Sequence, residues 1–254
     1  MISNDLELRF GGLVMRGAQS FAPGLYVTSM EGWNESVEGR YDETQIPGGD
    51  GSFDVPVTLG SRLVPIKGYC RAEHLDDLRQ WRNRVTGQLG GPVTRQFVVR
   101  ELGETEWAPA QCVRANFPLA GQRTFASFSM TFWMPKPWRF GDKTEAFRDG
   151  ETATHFGNTG SVPYFRIGGD RPGGYTIPGP GGKSVVISRP VVPGTLHEYN
   201  MTDGELYIDG ALVDGGITRG DSWAIPGGGA FAHTIIGGTG GVDDFTTLLR
   251  KVTI

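Results

Sequence analysis

Glycine and proline interrupt this chain too often for it to be built from helices. Forty glycines and 16 prolines are spread over 254 residues, where average usage would put glycine near about 7%. Glycine gives tight turns their positive φ, and proline breaks both helices and central strands. A chain cut at such short intervals holds many short strands and few helices. Its length allows one large β domain or two of ordinary size, each with enough chain for a core.

Between the breaks, apolar side chains recur with the period of two that marks a half-buried strand. Leu6, Leu8 and Phe10 share one face, and residues 25–30 read as a second strand. Strands are expected at 55–59 and 63–69, and a hairpin pairs 96–100 with 107–113 around Gly103. The clearest strand is 125–134, where Ala126, Phe128, Met130, Phe132 and Met134 alternate with Ser127, Ser129 and Thr131. One helix is expected, from Glu73 to about Val85. Leu75, Leu78, Trp81 and Val85 form an apolar stripe, acids lie at its start and arginines toward its end, as the helix dipole favours. Gly87 is its expected stop.

Pro135-Lys136-Pro137-Trp138 ends the long strand and stiffens the exit. We place a domain boundary there: 1–138 as the first domain, 139–150 as a connector and 151–254 as the second. The second half has short apolar runs at 164–167, 185–187, 206–208, 223–225, 233–236 and 248–254, separated by glycine clusters, with at most a helical turn near 243–248. That spacing indicates a β-sandwich.

Net charge is −4, with −1 on residues 1–138 and −3 on the remainder. No basic half exists to neutralise phosphates, so sequence-independent binding of nucleic acid is not expected. No apolar run reaches the roughly 18 residues of a membrane helix. The opening MISNDLELRF lacks the basic and apolar segments of a signal peptide, so the chain is expected to stay in the cytosol until something else carries it out. Cys70 and Cys112 are expected to be free and packed there, although both lie at strand-like stretches and a bridge between them is geometrically open.

The motifs that resemble catalytic or cofactor sites each fail on chemistry. Gly179-Pro-Gly-Gly-Lys183-Ser184 mimics the end of a phosphate-binding loop. Ile177 stands where the leading glycine should be, however, and a β-run follows instead of a helix. Gly237-Gly-Thr-Gly-Gly241 lacks the dinucleotide spacing and the following helix. His74, His155, His197 and His233 show no ligand-pair spacing, so no metal is expected. Cys70 with His74 has no further sign of an oxyanion site. Glu205 and Asp209 would sit about 13 Å apart on a strand, too far for a glycosidase pair, with Leu206 and Ile208 turned inward. No catalytic residue and no cofactor are expected. Tyr175 and Trp223, both beside Gly/Pro turns, are the candidates for stacking on a sugar; the alternative is that they plug the ends of a sandwich core.

One stretch departs from the rest. Residues 31–54, EGWNESVEGRYDETQIPGGDGSFD, hold seven acids and one arginine with no steady period. They read as a long exposed acidic loop or an extended hairpin. Trp33, Tyr41 and Phe53 within it make a docking arm as reasonable as a solvated loop.

The order of elements carries a resemblance. N-terminal strands lead to the Gly49-Asp50-Gly51 turn, then to paired strands in FDVPVTLGSRLVPIKGYC (53–70), one amphipathic helix, a hairpin and the strand SFSMTFWMPKPW (127–138). HFGNTGSVPYFRIGG (155–169), GELYIDGALVDG (204–215) and GDSWAIPGGG (220–229) follow. This order resembles the distal tail proteins of siphophages, especially those of actinobacteria, over nearly the whole chain; residues 171–183 match no part of that pattern. The resemblance implies a mainly β fold: a split β-barrel with one α-helix, then a galectin-like β-sandwich. It implies that six copies close into a homohexameric ring, with the sandwich outside it. The ring joins the tail tube to the tip or baseplate and lets DNA pass without specific binding. Implied partners are further copies of the chain, the tail tube protein, the tape-measure protein and the tail-tip proteins, in a virion assembled in the host cytoplasm. No catalytic residue is implied. On that reading Trp33, Glu35, Glu38, Tyr41, Asp42 and Glu43 are the candidates for a contact with a neighbouring copy or with the lumen. A second reading is a carbohydrate-binding tail module that recognises host cell-wall glycans, with Tyr175 and Trp223 as its contacts. A hydrolase ranks last.

Overall fold

The computed structural model describes residues 2–254 apart from 18, 19, 21, 42, 92 and 120–123. It divides into two compact units, residues 1–139 with residue 254, and residues 140–253.

The N-terminal unit is a closed barrel with an arm and a helix. In chain order its strands are β1 (Glu7–Phe10), β2 (Leu13–Arg16), β3 (Gly24–Met30), the two-residue β4 (Gly39–Arg40) and β5 (Thr58–Leu59), and then β6 (Arg62–Arg71). Helix α1 (Leu75–Thr86) follows, and then β7 (Arg95–Glu101), β8 (Glu104–Asn116) and β9 (Phe125–Met134). The order β8-β7-β1-β2-β3-β6-β9 closes on itself because β9 also pairs with β8. Closure removes the exposed strand edges that an open sheet would leave. Strand alternation fills the interior: Ala126, Phe128, Met130, Phe132 and Met134 of β9 and Val64, Ile66 and Cys70 of β6 are all buried. Phe10, Phe97 and Phe132 meet there, Phe132 lying 4.8 Å from Phe10 and 4.7 Å from Phe97 between ring centroids.

The helix starts two residues later than its pattern indicates. His74 precedes it, and the His74 N–H donates to the Asp77 carboxylate at 3.0 Å. Leu78 and Val85 are its buried stripe, while Leu75 is exposed. The helix packs against β6 and β8. Strand β2 was not foreseen; Gly11 and Gly12, both at positive φ, turn β1 back into it. The hairpin β7–β8 turns on Leu102 and Gly103, at φ 54° and 79°. Two positive φ values are what a two-residue type I′ turn requires.

Most of the stretch read as a connector is strand β10 (Arg139–Arg148), which belongs to the C-terminal unit from Phe140 onward. That unit continues with β11 (Thr152–Thr154), β12 (Tyr164–Ile167), β13 (Tyr175–Pro178), β14 (Ser184–Ile187), β15 (His197–Asn200) and β16 (Glu205–Ile208). The last four are β17 (Ala211–Leu212), β18 (Ile217–Gly220), β19 (Ala230–Ala232) and β20 (Phe245–Thr253). One sheet runs β17-β16-β15-β12-β20 and a second runs β13-β14-β18, with β11 and β19 as a separate pair. The two sheets share one core: Phe165, Tyr199, Leu206 and Phe245 from the first meet Tyr175, Ile177, Val185 and Ile187 from the second. The glycine-rich 179–183 segment is the turn of the β13–β14 hairpin, closed by the Gly179 N–H to the Lys183 carbonyl at 2.8 Å. The runs expected at 223–225 and 233–236 are single bridges, Ile225 to Ser161 and Ile236 to Thr176, because glycines at 227–229 and 237–238 interrupt any longer ladder.

Candidate functional site

Residues 34–59 leave the barrel as an arm. Among its described residues only Val37 and Val55 are half-buried, and all others are exposed. The choice left open by the sequence is settled in favour of an extended hairpin. β4 pairs with β5, Gln45 bridges Ser52, and the Phe53 N–H reaches the Thr44 carbonyl at 2.9 Å. Tyr41 and Phe53 are 69% and 55% exposed, apolar area that a two-stranded ribbon cannot bury by itself.

The root of this arm is fixed by two buried arginines. Arg62 opens β6 on the same inward face as Val64 and Ile66 and is 3% exposed. Its guanidinium donates to the carbonyls of Trp33 at 3.0 Å and Glu35 at 2.8 Å, and also to that of Gly32. It reaches the Pro137 carbonyl at 3.4 Å. Arg139 donates to Asn34 Oδ1 at 2.9 Å, pairs with Glu106 at 3.2 Å and lies over the Trp33 ring at 5.2 Å. Burial lowers the pKa of Arg62; Arg139 adds to that shift, and Glu35 and Glu106 oppose it. Burial lowers Arg139 too, against the pull of Glu106. These are buried cations whose terminal guanidinium nitrogens meet carbonyls and one carboxylate, which is how a charge is tolerated inside, while the Nε of each has no hydrogen-bond partner among the described residues. Gly32 completes the root. Its φ is +76°, and a Cβ there would stand 2.2 Å from the Leu63 carbonyl oxygen, so only glycine lets the chain turn this close to β6. A cleft of about 210 Å³ opens beside the root, lined in part by Trp33, Asn34, Glu101, Glu104 and Glu106.

Glu35, Glu38, Tyr41 and Glu43 lie along the outgoing strand of the arm and are exposed; Asp42 lies outside the described residues. Trp33 is a core residue of the N-terminal unit: it is 3% exposed, with its ring 5.5 Å from that of Phe97. Tyr175 and Trp223 are buried as well, as the core-plug alternative has them. They are 3% and 5% exposed, so neither offers a face to a sugar. The Tyr175 hydroxyl lies 3.3 Å from His197 Nδ1, and Trp223 Nε1 donates to His233 Nε2 at 3.1 Å. The remaining candidates stay apart. The Cys70 thiol is buried and pushed up to about 12, a protonated packing group, and Cys112 is also free and buried. Arg62, Arg139, Asn34 and Glu106 were missed. The signal for Arg62 was an arginine that alternation puts on the same face as the apolar Val64 and Ile66.

No family model and no curated protein matches the chain. Solved structures do. The Dit protein (gp 19.1) of phage SPP1, described as a paradigm of the hub adsorption apparatus in Gram-positive infecting phages, matches with a TM-score of 0.74. Identity is 12%, over 98% of this chain and 99% of that one. The chain has the fold of the phage Dit protein. Chains of the phage P2 baseplate in its activated conformation, with Ca and with Sr, are less closely similar to this chain. Their TM-scores are 0.54 and 0.50, at 8% and 7% identity over 97% of each chain. At such identities the likeness is one of fold, and it extends through both units, including the barrel that carries the arm.

Proposed function

We propose that this chain is a structural, non-catalytic component of a phage tail tip or baseplate. In this reading copies of it form a ring, six in number, that joins the tail tube to the tip and lets DNA pass. One observation carries the reading: a match to the Dit protein of SPP1 that runs from end to end of both chains. Residues 1–138 would form the ring and residues 151–254 a galectin-like sandwich. The partners would be further copies of the chain, the tube and tape-measure proteins and other tip proteins, and its place the virion.

Two properties of the chain support this. A conduit for DNA should not hold phosphates, and a net charge of −4 does not attract them. A ring also needs each copy to reach the next, and the arm offers the exposed Glu35, Glu38, Tyr41 and Glu43 for that contact, with Trp33 at its root and Asp42 as a further candidate from the sequence. The test is electron microscopy of the purified protein mixed with its tail-tube partner. Rings of uniform diameter with a central opening are expected. Particles that remain monomeric with the tube protein present would overturn the reading.

A further inference from the structure

The charge of the N-terminal unit is unevenly laid out. Along the arm Glu35, Glu38, Glu43, Asp50 and Asp54 face solvent with one arginine, Arg40, among them. Tyr41, Phe53 and Val57, each more than half exposed, are interleaved with them. The complementary surface lies at the C-terminal end of α1. There the Arg84 guanidinium lies over the Trp81 ring at 4.5 Å and donates to the Gly12 carbonyl at 3.2 Å. Gln88 donates to the Gly11 carbonyl at 3.4 Å, and Arg95 donates to Gln88 Oε1 at 3.2 Å. Two guanidinium groups are thus held at one turn with most of their donors still directed to solvent. Arg82 is exposed on the same half of the helix; the acids Asp76 and Asp77 are at the other end, where Arg79 pairs with Asp76 at 2.9 Å. Leu89 and Val93, 43% and 67% exposed, border the C-terminal end. Among the described residues no hydrogen bond or ion pair joins the arm to the helix.

We propose that the acidic arm of one copy docks on the arginine-bearing end of α1 in the next copy. This rests on the ring reading above and names the two surfaces that meet. Carboxylates would pair with the Arg84 and Arg95 forks, and the exposed aromatic rings of the arm would stack on guanidinium planes. The contact is heterologous, arm to helix, and such a contact repeated by a closing rotation generates a ring.

The test is sedimentation velocity on the full chain. The wild type is expected to self-associate at about 50 mM salt and to weaken at about 500 mM, where screening is complete within a few ångströms. Arg84→Glu/Arg95→Glu and Glu38→Lys/Glu43→Lys should each weaken association at least about tenfold, with melting temperatures near the wild type to show that both still fold. An equimolar mixture of the two variants should regain association, because each acidic arm meets an arginine end and each lysine arm meets a glutamate end. Association indifferent to salt and to both variants would overturn the proposal, as would a mixture that regains nothing, or a wild type that stays monomeric at low salt and high concentration. The failures are separable by microscopy. Rings formed by the glutamate variant with the tube protein would sink the pairing and leave the structural role intact. No ring from any variant or from the wild type would sink the ring reading itself.

Discussion

Acid should loosen the C-terminal unit through His233. The ring is 1% exposed and enclosed by Phe165, Phe231 and Trp223, at centroid distances of 5.1, 4.8 and 6.0 Å. Because Nε2 accepts from the Trp223 indole, the ring proton sits on Nδ1, which has no hydrogen-bond partner among the described residues. A second proton would have to go on Nε2. It would break the indole bond and leave a buried cation with no counter-charge, and burial alone pushes the pKa from 6.5 to about 4. The folded state therefore resists a proton that the unfolded state accepts. Above about pH 6.5 both states are neutral and the full stability is present. Between there and about pH 4 the unfolded state gains protons first, and stability falls as pH falls by about 1.4 kcal/mol per unit, to a total of about 3 kcal/mol. His197, 1% exposed and also lowered by burial, acts in the same direction. Against the roughly 5–15 kcal/mol that holds an ordinary domain, that is a large share. Trp223 is the only tryptophan of residues 140–254, so its resonance in protein labelled with 5-fluorotryptophan isolates this unit in a urea titration. The midpoint should drop as pH is lowered from 7 to 4.5, and His233→Gln, which keeps an acceptor for the indole but cannot titrate, should flatten most of the slope. A wild-type midpoint independent of pH, or an equal slope in His233→Gln, would refute the reasoning.

Four further outcomes follow from single sites. Arg62→Met leaves the carbonyls at the arm's root without their donor and should cost roughly 2–4 kcal/mol, read as a lower melting temperature and as new protease cleavage between residues 31 and 60. Gly32→Ala puts a side chain on a left-handed residue against the Leu63 carbonyl and should cost at least about 2 kcal/mol in the same melting assay, with no change if the entry turn is loose. Leu102 sits at φ 54° and is 80% exposed at a type I′ turn, so Leu102→Asn should stabilise by about 0.5–1 kcal/mol; a lowered melting temperature would show that the leucine packs on something. Burial pushes the Cys70 and Cys112 thiols up to about 12 and about 11, so iodoacetamide at about pH 8 should label neither in folded protein and both after denaturation.

How legible each part was depends on what kind of neighbour it has. Strands β9 and β12 have the bounds their period indicates, because a half-buried strand writes its inside and outside faces into alternate residues. Strand β2 reads Leu13-Val14-Met15-Arg16, three apolar side chains in a row after a two-glycine turn, so no alternation marks it. The anchor of the arm was hidden for a different reason. Arg62 is satisfied by backbone carbonyls, and carbonyls have no residue code, so only its inward place on β6 marked it. Tyr175 and Trp223 show the converse limit. An aromatic beside a glycine turn reads the same whether the turn lifts it into solvent or clears space for it in the core. Here the glycine clears space: a Cβ on Gly179 would stand 2.7 Å from the Trp223 ring. The odd Gly-Pro-Gly-Gly segment is thus explained by packing as well as by turning.

The arm is where none of these rules applies, and that is itself informative. Elsewhere in the N-terminal unit the inward residues of the strands fill a shared interior, although Leu63, Val113 and Phe125 face outward, and the two buried cations find acceptors. From residue 34 to 59 the chain has aromatic and branched side chains but no interior to put them in, and acids with almost no bases among them. A segment with no buried face of its own has little reason to hold one geometry, yet Gly32, Trp33, Asn34 and Glu35 are held at its root by Arg62 and Arg139. Fixing a root by buried charge while leaving the tip bare is costly for a solvated loop. It is sensible for a segment whose direction must be set before a partner supplies the missing interior.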